Sequence, residues 1–143
     1  MICTSLRERG QVLAFFALVL PLVLLPVVAF AVDAAVLGAD AAALQAATAR
    51  AAEVAVEQID VAAFRAGGGL ALDQTGVVSA ATQTLLDAEP GASVDSVGIA
   101  GTQVTLSVSE HVQPALPLWT GEVTLHARAS ARLSAGYDRP SSL

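Results

Sequence analysis

The sequence contains no lysine, one cysteine and one tryptophan, and aromatic residues make up only 4% of it. All seven basic residues are therefore arginine, and with 13 acidic residues the formal net charge is -6. An acidic chain without a basic cluster argues against nucleic acid as a partner. Cys3 has no second cysteine to pair with, so the fold must rest on packing and not on an internal disulfide.

Motifs for catalysis or cofactor binding are missing from the sequence as well. There is no G-x-S-x-G elbow and no glycine-rich phosphate loop, and Glu53 and Glu57 are expected on an exposed helix face. His111 and His126 lack the HxxxH spacing of a zinc site, so we expect both on the surface. The chain is accordingly predicted to be no enzyme, with no cofactor, no metal and no small-molecule substrate.

One long apolar run, residues 12–32, carries no charged side chain. A helix rises about 1.5 Å per residue, so this run reaches roughly 30 Å, the thickness of the hydrocarbon core of a bilayer. Arg7 and Arg9 precede it, and Asp33 and Asp40 follow it. The positive-inside rule then predicts a single-pass protein of the cytoplasmic membrane, with the N-terminus cytoplasmic and the C-terminal part outside.

A single long helix is predicted from about residue 11 to residue 65. Its first half is apolar all round, and Pro21 and Pro26 are expected to kink it. Its second half is amphipathic, with one stripe at helical spacing formed by Leu37, Leu44, Ala47, Ala51, Val54 and Val61. Gly67-Gly68-Gly69 is expected to end the helix.

The predicted organisation is a leader (1–10), a transmembrane segment (11–32), an extracytoplasmic helix (33–66) and an outer domain (67–143).

The outer domain is predicted to contain a short helix followed by a small sheet. Asp73 or Thr75 is suited to capping the helix, whose apolar face comprises Val77, Val78, Ala81, Leu85 and Leu86. After Pro90-Gly91 the apolar period changes to two, which predicts strands at 94–99, 104–109 and 123–133. The fold class is therefore α+β: a long membrane-spanning helix, a short second helix and an antiparallel sheet of about three strands.

The N-terminal third of the chain resembles the TadE/TadG-like proteins of Flp (Tad) pilus systems. The resemblance is carried by Arg-Gly-Gln at 9–11, Phe-Ala-Leu-Val-Leu-Pro at 16–21, Val-Asp at 32–33 and the alanine-rich run after Leu44. It implies a pilin-like fold and a pilus-assembly or minor pilin-like role in the envelope, with other pilin-like or pilus-assembly proteins as partners.

The resemblance also implies a processing site at Gly10 and Gln11. In processed relatives a prepilin peptidase cuts after the glycine, which would leave Gln11 as the mature N-terminus. Type IV pilins carry glutamate at the fifth mature position, which is Phe15 in this chain. This departure favours a TadG-like component over a bulk filament subunit, whereas the size of the chain is TadE-like.

The alternative to a retained anchor is a secretory signal peptide. Ala29-Phe30-Ala31 is a small-x-small site, and cleavage after Ala31 would release an exported soluble binding domain. The length of the apolar run favours retention. Asp33 is interpreted as a charge that marks the outer membrane interface.

A proline-stiffened connection, residues 114–119, carries apolar side chains between two predicted strands. Leu116, Leu118 and Trp119 form either an exposed interaction loop or a plug that folds back on the end of the sheet. Both interpretations remain open at the level of sequence.

Overall fold

The computed structural model describes residues 5–114 and 121–133, with side chains from residue 13 onward. Its elements follow the order α1 (Ser5–Val56), α2 (Val61–Arg65), α3 (Gln74–Ala88), β1 (Ala92–Ala100), β2 (Gln103–Val112) and β3 (Val123–Arg132). The predicted α+β class, with a long apolar N-terminal helix, a short helix and a three-stranded antiparallel sheet, is confirmed.

Helix α1 is 52 residues long and continues through both Pro21 and Pro26. The predicted bounds of 11 and 65 are wrong at both ends, because α1 begins at Ser5 and ends at Val56. At about 1.5 Å per residue the helix is roughly 78 Å long, far longer than the small domain that it supports.

The early end of α1 has a local cause at Asp60. The Asp60 side chain accepts a hydrogen bond from the backbone N–H of Ala63 (2.9 Å), which caps the new helix α2. An isolated antiparallel β-bridge between Ile59 and Leu72 joins the two ends of the segment that contains α2. Beside it, the N–H of Asp60 donates to the carbonyl of Ala71 (2.9 Å). A competing cap thus starts a second helix before the first can continue.

Two expectations about this region are therefore wrong. The triple glycine follows α2 instead of ending α1, and Gly67 and Gly69 adopt positive φ angles of 78° and 79° that favour glycine. Val61, predicted on the buried stripe of the long helix, is 53% exposed because it lies in α2, which has no buried residues.

Helix α3 begins where the sequence predicts, with the Asp73 side chain accepting from the N–H of Thr75 (3.1 Å). Val77, Ala81 and Leu85 are buried, but Val78 and Leu86 are 45% and 44% exposed. The apolar face is narrower than predicted because these two side chains lie on the flank of the helix that no described element covers.

The sheet has the order β1-β2-β3, with both pairs antiparallel. Gly101, at a φ of 61°, makes the tight turn between β1 and β2. The register of β1 shifts between Val94 and Ser96, so Asp95 forms a bulge. All three predicted strands are present. β1 and β2 extend beyond their predicted bounds, and β3 ends one residue before its predicted end, at Arg132.

The core lies between α1, α3 and one face of the sheet. Four alanines on one side of the second half of α1 are almost completely buried, which lets the helix approach the strands closely: Ala47, Ala51, Ala52 and Ala55. The larger core residues include Leu44, Val77, Leu85, Val104, Leu106 and Val108. The outer face of the sheet is polar, as the alternation predicts.

Candidate functional site

The most prominent surface is the apolar part of α1, residues 13–36. Apart from the half-buried Val19, its large apolar side chains are 41% to 73% exposed, from Val36 at the low end to Leu18 at the high end. None of its most apolar stretch is buried, and the helix is long and apolar enough to cross a membrane. An N-terminal signal sequence meets the same criterion, so the span itself is compatible with both interpretations.

Both candidate processing sites lie inside α1. Gly10 and Gln11 are in its second turn, and Ala29 and Ala31 are near its middle. Proteases bind an extended backbone, and each site would have to unwind locally before cleavage. The structure therefore places the four residues without favouring either cut.

Asp33 lies at the end of the apolar run and is 1% exposed, whereas the preceding Val32 is 48% exposed. Burial against the rest of the protein does not locate a membrane boundary, so the interpretation of Asp33 as the marker of the outer interface stays a prediction. The buried carboxylate is a structural feature of α1 that hydropathy alone does not reveal.

The proposed interaction loop of Leu116, Leu118 and Trp119 lies outside the described residues. The choice between a docking loop and a plug accordingly stays a prediction. The strands on either side of the loop end at Val112 and begin at Val123.

The two histidines lie on the exposed polar face of the sheet, as predicted for His126. His111 Nδ1 is 3.2 Å from Thr124 Oγ1 and 3.8 Å from Glu122 Oε1. The side chains of His111 and Glu122 are both more than half exposed. Within residues 5–114 and 121–133, no three histidine, cysteine or acidic side chains cluster as metal ligands would.

Two shallow grooves run along α1. One, of about 350 Å³, separates α1 from α3 and is lined by Arg50, Val54, Thr84, Asp87 and Ala88. The other, of about 410 Å³, separates α1 from the end of β3 and is lined by Ala49, Glu53, Val56, Glu57, Ala129, Ser130, Ala131 and Arg132. Both are open and neither encloses a small molecule, so they resemble contact surfaces more than pockets.

Glu110 is an acidic residue that sequence reasoning missed. It lies on the inner face of β2, in register with Ala92 of β1 and Leu125 of β3. Partial burial raises the pKa of Glu110, and the nearby carboxylates of Glu89 and Asp40 raise it further. The signal was available, because residue 110 continues the even-numbered apolar series Val104, Leu106 and Val108.

A second feature that the sequence reasoning missed is the exposed apolar loop between α1 and α3. Val61 and Phe64 of α2 and Leu70 after it are 53%, 56% and 40% exposed. Asp60, which caps α2, was the signal for this loop.

A comparison of the chain with protein-family models, curated proteins and solved structures finds no match.

Proposed function

We propose that the protein is a non-enzymatic, TadE/TadG-like pilus-assembly or minor pilin-like protein, anchored in the cytoplasmic membrane by the apolar half of α1. The observation that carries the proposal is the contrast within one continuous helix. Residues 13–36 expose nearly every large apolar side chain, while Leu44 and Ala51 are buried in the outer domain. Exposed apolar surface on that scale is stable in lipid and unstable in water.

Charge supports the orientation of the anchor. Arg7 and Arg9 precede the apolar segment, and the acidic residues other than Glu8 all follow it. The outer domain would then face the periplasm or cell exterior and act through protein contacts. Candidate contact surfaces are the sheet edges, the two grooves and the apolar loop at Phe64.

The resemblance at residues 9–21 and 32–33 supports the pilus assignment, and the α+β outer domain has a size and layout compatible with it. The single apolar helix that leads into a small domain is how pilin-like proteins combine anchoring with lateral helix packing. Neighbouring genes test this part: a secretion ATPase, a prepilin peptidase and sibling Tad-like genes are expected alongside, and their absence would contradict the pilus role.

Fractionation and protease accessibility test the anchor and its orientation. The full chain is expected in the membrane pellet after a carbonate wash, and protease added to spheroplasts is expected to digest the outer domain. A matched pair of variants sharpens the test: Leu22→Arg places a charge at the centre of the span and should reduce the membrane fraction, whereas Leu22→Ala should not.

The alternative is an exported soluble domain that has lost residues 1–31. It is favoured by the small-x-small site at Ala29 and Ala31 and by the N-terminal position of the apolar segment. Recovery of the domain in the soluble periplasmic fraction would support this alternative against the anchored protein. Added protease should then digest the domain only after the outer membrane is disrupted.

A further inference from the structure

The two outer strands of the sheet leave their free edges on opposite sides of the outer domain. Among residues 5–114 and 121–133, only β2 pairs with β1 and only β2 pairs with β3. The carbonyl of Arg128 in β3 accepts a hydrogen bond from Gln45 Nε2 (3.0 Å), so the backbone groups of Arg128 point away from β2. Since backbone groups alternate along a strand, His126 and Ser130 also offer their N–H and C=O groups to this edge.

The apolar side chains at both edges are only half covered. Val94, Val97 and Ile99 of β1 pack against the core but remain partly exposed, and so do Leu125 and Ala129 of β3. Each edge would therefore bury further apolar surface if another strand were added to it, in addition to satisfying its backbone hydrogen bonds.

The two edges carry opposite charge on their polar face. Asp95 is exposed at the bulge of β1, where its Oδ1 accepts a hydrogen bond from Ser109 Oγ (2.6 Å), whereas Arg128 and Arg132 are exposed on β3. Pairing β1 with a second β1 would bring Asp95 close to its own copy near the middle of the strand, and pairing β3 with a second β3 would do the same to Arg128. Like charges facing each other across strands are destabilising. Pairing of either edge with its own copy is therefore disfavoured, and pairing of β1 with β3 is favoured.

We propose that β1 of one copy pairs with β3 of a second copy, so that the sheet continues from chain to chain along the membrane surface. β1 and β3 run in the same direction because both are antiparallel to β2. Neighbouring copies therefore share one polarity relative to the membrane, with their α1 helices rotated against each other by the twist of the sheet, roughly 20–25° for each strand step. This step rests on the proposed membrane anchor.

The internal register fixes which residues meet. Gly98, Thr105 and Ser130 form one row across the sheet, and Ser96, Ser107 and Arg128 form another. If the sheet continues without a shift, Ser130 lies beside Gly98 of the next copy and Arg128 lies beside Asp95 and Ser96 of that copy. Gln45 occupies one acceptor of the β3 edge, and a carbonyl oxygen can accept a second hydrogen bond.

The same arrangement covers an exposed flank of α3. Val77, Ala81 and Leu85 face the core, and Thr84 and Asp87 line the groove towards α1. Val78 and Leu86 therefore lie on the opposite flank, above the free edge of β1. Helix α1 of the next copy, which accompanies its β3, would pack against that flank.

Disulfide trapping in the full chain tests the proposal directly. With Cys3 replaced by serine, Gly98→Cys and Ser130→Cys are introduced together, and membranes are oxidised before non-reducing electrophoresis. The two positions are separated within one chain by β2, about 10 Å apart, beyond the roughly 7 Å reach of a disulfide. We expect a ladder of dimers, trimers and larger species that collapses on reduction.

Three controls make the result decisive. Ser79→Cys with Ser130→Cys keeps two exposed thiols but moves one to α3, and it should give no ladder. Gly98→Cys alone should remain monomeric, and a strong dimer from it would overturn the proposal in favour of β1–β1 pairing. Absence of a ladder from the double variant in the membrane fraction would overturn it as well.

Fractionation of the same samples reports the anchor separately, so a soluble protein contradicts the proposed function and not the sheet contact.

Charge exchange provides an independent measurement on the same cysteine background. Asp95→Arg or Arg128→Asp alone should reduce the ladder roughly three- to tenfold, because each creates a like-charge contact between copies. Combining the two should restore it. A double variant as weak as the single variants would contradict the pairing of Asp95 with Arg128 and overturn the proposed register.

Discussion

Glu110 is the residue at which the requirements of the fold and of charge conflict. It follows the apolar alternation of β2, yet it carries a carboxylate that faces Asp40 of α1 and Glu89 at the end of α3. Burial and these two negative charges raise its pKa, so the folded state binds a proton more readily than the unfolded chain does. Ionised Glu110 therefore costs stability, and the cost grows as pH rises.

Replacing Glu110 with glutamine should remove this penalty. The contribution of Glu110 to the free energy of unfolding is expected to be most favourable below the ordinary glutamate pKa and to be lost as pH rises through the raised pKa of Glu110. Glu110→Gln should be more stable than the wild type at neutral pH and should lose that part of the pH dependence. Chemical denaturation from pH 4 to pH 8 measures it, and an unchanged slope in the variant would contradict the argument.

Leu44 and Leu22 show how one residue type serves two environments in one helix. Leu44 lies in the half of α1 that packs on the sheet and is 1% exposed, whereas Leu22 lies in the apolar half and is 70% exposed. Leu44→Ala should lower the free energy of unfolding of the outer domain by about 2–5 kcal/mol, because it leaves a cavity. Leu22→Ala should change it by less than about 0.5 kcal/mol. Thermal unfolding in detergent compares them, and equal effects would mean that the apolar half packs on the outer domain.

At the scale of elements, the strongly periodic segments could be predicted from the sequence. The apolar run, the alternation in β2 and β3 and the Asp73 cap each indicate one structure by a local rule, and the structure contains all of them. The end of α1 could not be placed this way, because the alanine and valine pattern continues past Val56. The choice there depends on the Asp60 cap and on the bridge from Ile59 to Leu72, which is a tertiary contact.

The candidate site was less predictable for a physical reason. Sheet edges, flanks and grooves exist only once the strands are ordered, and the sequence does not specify that β1 and β3 are both at the edge. Exposure of Val78 and Leu86 likewise depends on where α1 lies beside α3. Charge on the strands was visible in the sequence, but its separation onto opposite edges was not.

For the whole molecule, α1 sets the distances. If the membrane segment ends at Val32, the first core residue, Leu44, lies roughly 18 Å further along the helix, and Val56 lies roughly 36 Å along it. The outer domain is thus held away from the bilayer, and the apolar loop at Phe64 lies at its far end. In the proposed anchored protein, that loop would be too distant to enter the same membrane and would be available for protein contacts.

Retention of α1 as an anchor is tested by the intact mass of the protein purified from membranes. We expect a mass that begins at Met1 or, after prepilin-type processing, at Gln11, with the apolar segment retained in either case. A mature protein that begins at Val32 and is recovered in soluble form would contradict it.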